Sequence, residues 1–217
     1  MRVIAYYQRA ESHDEAHELA LLQRWMASWQ AKGFQPKVVG PMDAQAHPAY
    51  HWFEPWATKV PSYNPRSYEN ACWLRWLSIG PATHPGEVFI FADYDMANLG
   101  FSPNRAKQLA DPAIPVNLDG AFTCGPFILT HEVAFGMPLL MRTVMEMERA
   151  LHPDQGHFGD MMFWRAAQRY HPDLVVFRQE CEYWSKTGRP PICHIANPAI
   201  GPFKITKLQA WDELEKG

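Results

Sequence analysis

Val88-Phe89-Ile90-Phe91-Ala92-Asp93-Tyr94-Asp95 sets five apolar residues in a row before two carboxylates. A run rich in β-branched and aromatic residues, bounded by Gly86, reads as a strand covered on both faces. Such strands belong to mostly parallel sheets, and in open α/β sheets ligands collect at the strands' carboxyl ends. Asp93 and Asp95 stand at that end. Two carboxylates one residue apart suit a hard divalent cation, and Mg²⁺ or Mn²⁺ held in this way commonly also binds phosphate oxygens. The plain alternative is a solvated loop or a helix cap.

The chain around the run follows a β-α-β opening. Val3 to Tyr7 reads as a first strand, Ser12 to Lys32 as a helix, and Gln35 to Val39 as a second strand. Ser12 and Glu15 form a capping-box pattern. Ala16, Leu19, Leu22, Met26 and Trp29 follow helical spacing, and Gly33 fits the C′ position. Residues 40–66 hold five prolines and read as a long irregular segment, in which Trp52, Phe53 and Trp56 form a candidate wall for a ligand. A helix containing Arg75 follows. Further strands are expected at Ile114 to Leu118, Ala121 to Thr123, Asp173 to Arg178 and Ile192 to Ala196. Further helices are expected at Pro138 to Leu151 and Phe158 to Tyr170.

At 217 residues with 47% hydrophobic and 20% charged residues, the chain reads as one globular α/β domain spanning 1–217. A net charge of −3 gives no global field for nucleic acid. The cysteines, Cys72, Cys124, Cys181 and Cys193, form no Cys-x-x-Cys pair, which argues against a zinc ribbon or a disulfide scaffold. Reduced thiols, no run long enough to span a membrane, and an N-terminus unlike a signal peptide lead to the expectation of a cytoplasmic protein.

Several residues are candidates for chemistry. Arg75 lies in a helix apolar nearly all round, so its guanidinium needs an anionic partner or a path to water. His194 lies in the apolar stretch Ile192-Cys193-His194-Ile195-Ala196 and reads as a core histidine or a metal ligand. Lys204 and Lys207 follow a Gly-Pro loop that could close over a diphosphate, or are solvated lysines. Asp160 opens a helix, as a cap or as an acid–base group, with Asp119 and His157 in reserve. His13 and His17 have the i, i+4 spacing of zinc ligands but lack the Glu of a metalloprotease helix.

The strand–Asp-x-Asp junction resembles the metal motif of GT-A fold glycosyltransferases, which use nucleotide-diphospho-sugar donors. Ser67 to Leu77 is similar to the helix that precedes this motif in small sugar transferases, with Cys72 where an Asp is usual. Thr123-Cys124-Gly125-Pro126-Phe127-Ile128-Leu129-Thr130 is similar to a Thr-Gly-Pro-x-x-Leu-Thr stretch in such enzymes. The resemblance implies a GT-A-like mixed, mostly parallel sheet flanked by helices, and transfer of a sugar from a nucleotide-sugar to an acceptor. That acceptor is a glycan, a protein, a small molecule or a modified nucleic acid base. It implies Mn²⁺ or Mg²⁺ on Asp95 and His194, with Asp93 acting through water or on the donor sugar. It places the base near Tyr6, Tyr7 and Gln8, the diphosphate or ribose near Arg75, and the acceptor's proton on Asp160. The other readings are a nucleotide- or glycan-binding protein without turnover and a metal-dependent phosphohydrolase.

Overall fold

The first strand, β1 (Arg2–Tyr6), is followed by the helix α1 (Glu15–Gln30) and the parallel strand β2 (Gln35–Val39). The structure, a computed structural model, describes residues 1–9, 14–120, 125–170, 172–183, 189–195 and 206–216. Asp14 is the N-cap of α1: its carboxylate accepts from the Ala16 and His17 N–H groups. Ser12, expected in that role, lies outside the described residues. The buried face of α1 carries Leu21, Trp25 and Trp29, while Leu19 and Met26 are exposed. The tryptophans decide the orientation because they bury more apolar surface. Gly33, at φ +85°, closes the helix: Phe34 N–H donates to Trp29 C=O at 3.2 Å and Gly33 N–H to Gln30 C=O at 3.0 Å. This is the hydrogen-bond pattern of a Schellman turn.

Residues 40–66 are not irregular throughout. They form α2 (Pro41–Gln45), started by a proline at its first turn, and α3 (Tyr50–Ala57). Phe53 and Trp56 are buried against Trp73, with ring centroids 6.4 and 5.3 Å away. They build core, and Trp52 packs half-buried against it. Then come α4 (Arg66–Ile79), β3 (Val88–Phe91), β4 (Met96–Asn98), α5 (Pro103–Leu109), β5 (Val116–Asn117) and β6 (Phe127–Thr130). The helix α6 (His131–Leu151) begins well before Pro138, because the Thr130 hydroxyl caps it by accepting from Val133 N–H. The chain ends with α7 (Asp160–Tyr170), β7 (Val176–Phe177), β8 (Cys181–Tyr183), β9 (Ile192–His194) and α8 (Lys207–Glu215). Residues 121–123, one of the expected strands, lie outside the described residues.

The main sheet has the order β2-β1-β3-β6-β5-β7. All strands but β6 run the same way: β6 is antiparallel to both β3 and β5. This is the expected α/β class, a mixed and mostly parallel sheet with helices on both faces. Alternation along the strands divides the core. Ile4, Phe89, Phe91, Phe127 and Leu129 face the layer of α3, α4, α6 and α7. Val3, Ala5, Ile90, Ala92 and Ile128 face the layer that includes α1 and α8. A second sheet, β4-β9-β8, pairs β9 antiparallel to β4 and parallel to β8. No described helix is long and apolar enough to cross a membrane.

Candidate functional site

The β1 strand has β2 on one side and β3 on the other. The connection to β2 runs through α1 on one face of the sheet; the connection to β3 runs through α4 on the opposite face. The carboxyl ends of β1 and β3 therefore flank a topological switch point, where open α/β sheets form a crevice. Gln8 and Asp93 lie just beyond these two ends. A cavity of about 200 Å³ opens there, lined among others by Tyr6, Gln8, Arg75, Asp93, Asp95 and Lys207.

The chain turns sharply after β3, with Met96 N–H donating to Asp93 C=O at 3.1 Å, and enters β4. Pairing with β9 sets Met96 opposite His194, and Ile195 N–H donates to Asp95 C=O at 2.8 Å. One late strand thus carries His194 across the sequence to Asp95. The His194 Nε2 lies 3.5 Å from Asp95 Oδ1. One ligand atom each from Asp93, Asp95 and His194 lie within 4.8 Å of one another. Asp95 Oδ1 and His194 Nδ1 are buried with no hydrogen-bond partner among the described residues. Two carboxylates and an imidazole are a donor set for Mn²⁺ or Mg²⁺, and the imidazole leans toward Mn²⁺. The residues fit the ion.

Two cations of this chain already serve these carboxylates. Arg75 Nη1 donates to Asp93 Oδ1 at 2.9 Å, and Lys207 Nζ to Asp95 Oδ2 at 2.6 Å. Burial pushes the Asp93 carboxyl upward against the pull of Arg75. Burial also opposes ionisation of Asp95, but His194 and Lys207 outweigh it and hold that carboxyl well below its usual range. His194 and Lys207 are both raised, each by Asp95 against the opposing effect of burial. Lys207 starts α8, which is capped by the Thr206 hydroxyl and anchored in the core by Ala210, Trp211 and Leu214. Lys204 lies outside the described residues.

Asp160 is buried at the start of α7 and does not line the cavity. Its Oδ2 accepts from Arg75 Nε at 2.9 Å, from Arg75 Nη2, and from Trp76 Nε1 at 3.0 Å. With that oxygen already holding three donors and the side chain away from the cavity, the acid–base reading of Asp160 gains no support here; the residue positions Arg75. His157, the other reserve, stacks on Tyr63 at 5.6 Å, and its Nδ1 lies 3.1 Å from Ser62 Oγ. Tyr6 and Gln8 line the cavity, with Tyr6 OH donating to Gln8 Oε1 at 2.7 Å. Tyr7 does not line it, and packs edge-on against Tyr94 at 5.9 Å. His17 sits in the first turn of α1, and His13 lies outside the described residues.

Sequence reasoning passed over Glu18, Tyr68 and Tyr94, which also line the cavity. Tyr94 OH donates to Glu18 Oε2. The signal available for Tyr94 was its place between the two aspartates; Glu18 gave none, being one of many acids on an amphipathic helix. Cys72 lines the cavity as well, and burial, then Asp160, push its thiol up to about 12. A second cavity of about 190 Å³ is lined by Asp119, Gly120, Gln179, Glu182, Tyr183 and His194, among others. The His194 ring stacks on Tyr183 at 5.0 Å there, so the Asp-Asp-His cluster meets both cavities. Cys72, Cys181 and Cys193 are free thiols.

Comparison of the chain with protein-family models, with curated proteins and with solved structures gives no match.

Proposed function

We propose that this chain is a metal-dependent glycosyltransferase that moves a sugar from a nucleotide-diphospho-sugar donor to a second substrate. The observation that carries the reading is the convergence of Asp93, Asp95 and His194 at the switch-point cavity between β1 and β3. The resemblance of residues 67–95 to GT-A sugar transferases supports the same reading, although Thr123 and Cys124 of the later motif lie outside the described residues.

Asp93, Asp95 and His194 would hold Mn²⁺ or Mg²⁺, which neutralises charge on a departing nucleoside diphosphate. Arg75, fixed by Asp160, presents a guanidinium edge to Asp93 at the cavity wall and so orients that carboxylate. Lys207 supplies a mobile cation at the same wall, suited to phosphate oxygens. Tyr6 and Gln8 offer an aromatic ring and an amide at the end of β1, where a base or ribose would rest. Asp119, in the second cavity beside His194, is the better-placed candidate to take the proton of an acceptor hydroxyl.

The test is a thermal-shift screen of nucleotide-sugars with Mn²⁺ and with excess chelator, because stabilisation follows affinity. A donor that raises Tm only with metal, and is consumed, supports the transferase. One observation favours a second reading, a nucleotide-binding protein without turnover: each aspartate of the pair already has a cation of this chain. Equal stabilisation with chelator and no consumption of donor would establish that reading instead.

A further inference from the structure

Lys207 holds the Asp95 oxygen next to the one that a divalent cation shared with His194 would take. Its Nζ is 2.6 Å from Asp95 Oδ2, while His194 Nε2 faces the other oxygen at 3.5 Å. Lys207 reaches that point from the first turn of a helix whose Trp211 is buried and whose Asp212 is bound by Arg24 at 2.6 Å. The ammonium is therefore held near the cluster by the fold, and only its own side chain has freedom to move.

An ammonium and a divalent ion on the same carboxylate repel each other, because both lie within a few ångströms in a partly desolvated wall. The two cations would sit on neighbouring oxygens of one carboxylate, so each weakens the hold of the other on Asp95. The Lys207 side chain already lines the first cavity and is about a quarter exposed, at 29%, so it can swing from Asp95 into that space. Once swung, it has Glu18, already taken by Tyr94, and Asp93, already taken by Arg75, nearby. An anion in the cavity removes this frustration: it gives Lys207 a partner and screens it from the cation.

We propose that Lys207 couples the two ligands of this site, so that a divalent cation alone binds weakly and a cation with a diphosphate binds strongly. Lys207 neutralises Asp95 when both ligands are absent and moves to the diphosphate when both are present. The proposal rests on the metal reading of Asp93, Asp95 and His194. Coupling of this kind is reciprocal: the diphosphate raises cation affinity by the same factor as the cation raises diphosphate affinity.

The experiment measures Mn²⁺ binding by electron paramagnetic resonance, and pyrophosphate binding by equilibrium dialysis, in the full chain and in Lys207→Met. Lys207→Gln serves as a second variant, and near-ultraviolet circular dichroism confirms that α8 remains docked. Without pyrophosphate, both variants should bind Mn²⁺ about tenfold more tightly than the wild type, since the competing charge is gone. With Mn²⁺ saturating, both should bind pyrophosphate about tenfold more weakly. Wild-type Mn²⁺ affinity in both variants would overturn the coupling role while leaving the metal site in place. No Mn²⁺ binding by any of the three proteins, with or without pyrophosphate, would overturn the metal reading and this inference with it.

Discussion

Asp160 holds one edge of the Arg75 guanidinium, and that grip aims the other edge at Asp93. Nε and Nη2 donate to Asp160 Oδ2, leaving Nη1 to reach Asp93 Oδ1 at 2.9 Å. The charge is well shielded: the Arg75 side chain is 9% exposed and that of Asp160 4%. Removing one partner of such a pair leaves the other charge buried, which costs about 3–5 kcal/mol. Asp160→Ala should therefore lower stability by about this amount in chemical denaturation. Arg75→Met should do the same, and its melting temperature should partly recover on adding Mn²⁺, which neutralises the carboxylates left behind. A Tm for Arg75→Met that ignores Mn²⁺ would separate Arg75 from the metal cluster.

Asp95→Asn removes the charge that Lys207 and His194 share. Lys207 can turn into the cavity, but His194 stays buried beside the neutral amide, so the loss of stability should be about 1–3 kcal/mol. Mn²⁺ binding should be lost altogether. His194→Ala keeps both carboxylates and should weaken Mn²⁺ by about 10-fold or more. Metal titrations of the two variants beside their melting curves check both points: unchanged affinity with a lowered Tm would make His194 a packing residue.

The apolar run into Asp93 was readable because it obeys a local rule: a strand buried on both faces lacks alternation, and Phe89 and Ile90 indeed face opposite layers. Helix α4 and its buried Arg75 were readable for the same reason. The pairing of Arg75 with Asp160 was not, because it joins residues 85 positions apart in sequence. The junction of His194 with Asp95 depends on β4 and β9, strands of three residues each, too short for a pattern to emerge. In residues 40–66 the prolines suggested loop. Yet Pro41 sits in the first turn of α2, where a missing N–H costs nothing, and the tryptophans pull α3 into the core.

His47 gives a pH dependence remote from the cluster. It is buried, 4% exposed, and its Nδ1 accepts from Ala49 N–H at 3.0 Å. Burial lowers its pKa below 6.5 in the folded chain. The unfolded chain then binds more protons just below pH 6.5, so stability is full above that value and falls as the pH drops through the folded pKa. Urea midpoints measured from pH 7.5 to 5 should decline in the wild type and decline less in His47→Gln. Parallel declines would place the acid sensitivity elsewhere.

Gly33 tests the chain reversal that sends α1 back into β2. At φ +85° it occupies a conformation that L side chains rarely adopt, and a Cβ added there would meet nothing nearer than Pro103 Cγ at 3.8 Å. The penalty for alanine is thus backbone strain without a clash, about 1–2 kcal/mol. Gly33→Asn should cost less, since asparagine tolerates the left-handed region. Gly100 is the control: it has no positive φ and open space where a Cβ would stand. Gly100→Ala should be neutral, or stabilise by up to about 1 kcal/mol through the unfolded chain. Urea unfolding of the three variants should rank Gly33→Ala least stable, Gly33→Asn next and Gly100→Ala highest. Equal midpoints for Gly33→Ala and Gly100→Ala would mean that the Schellman turn after α1 relaxes without cost.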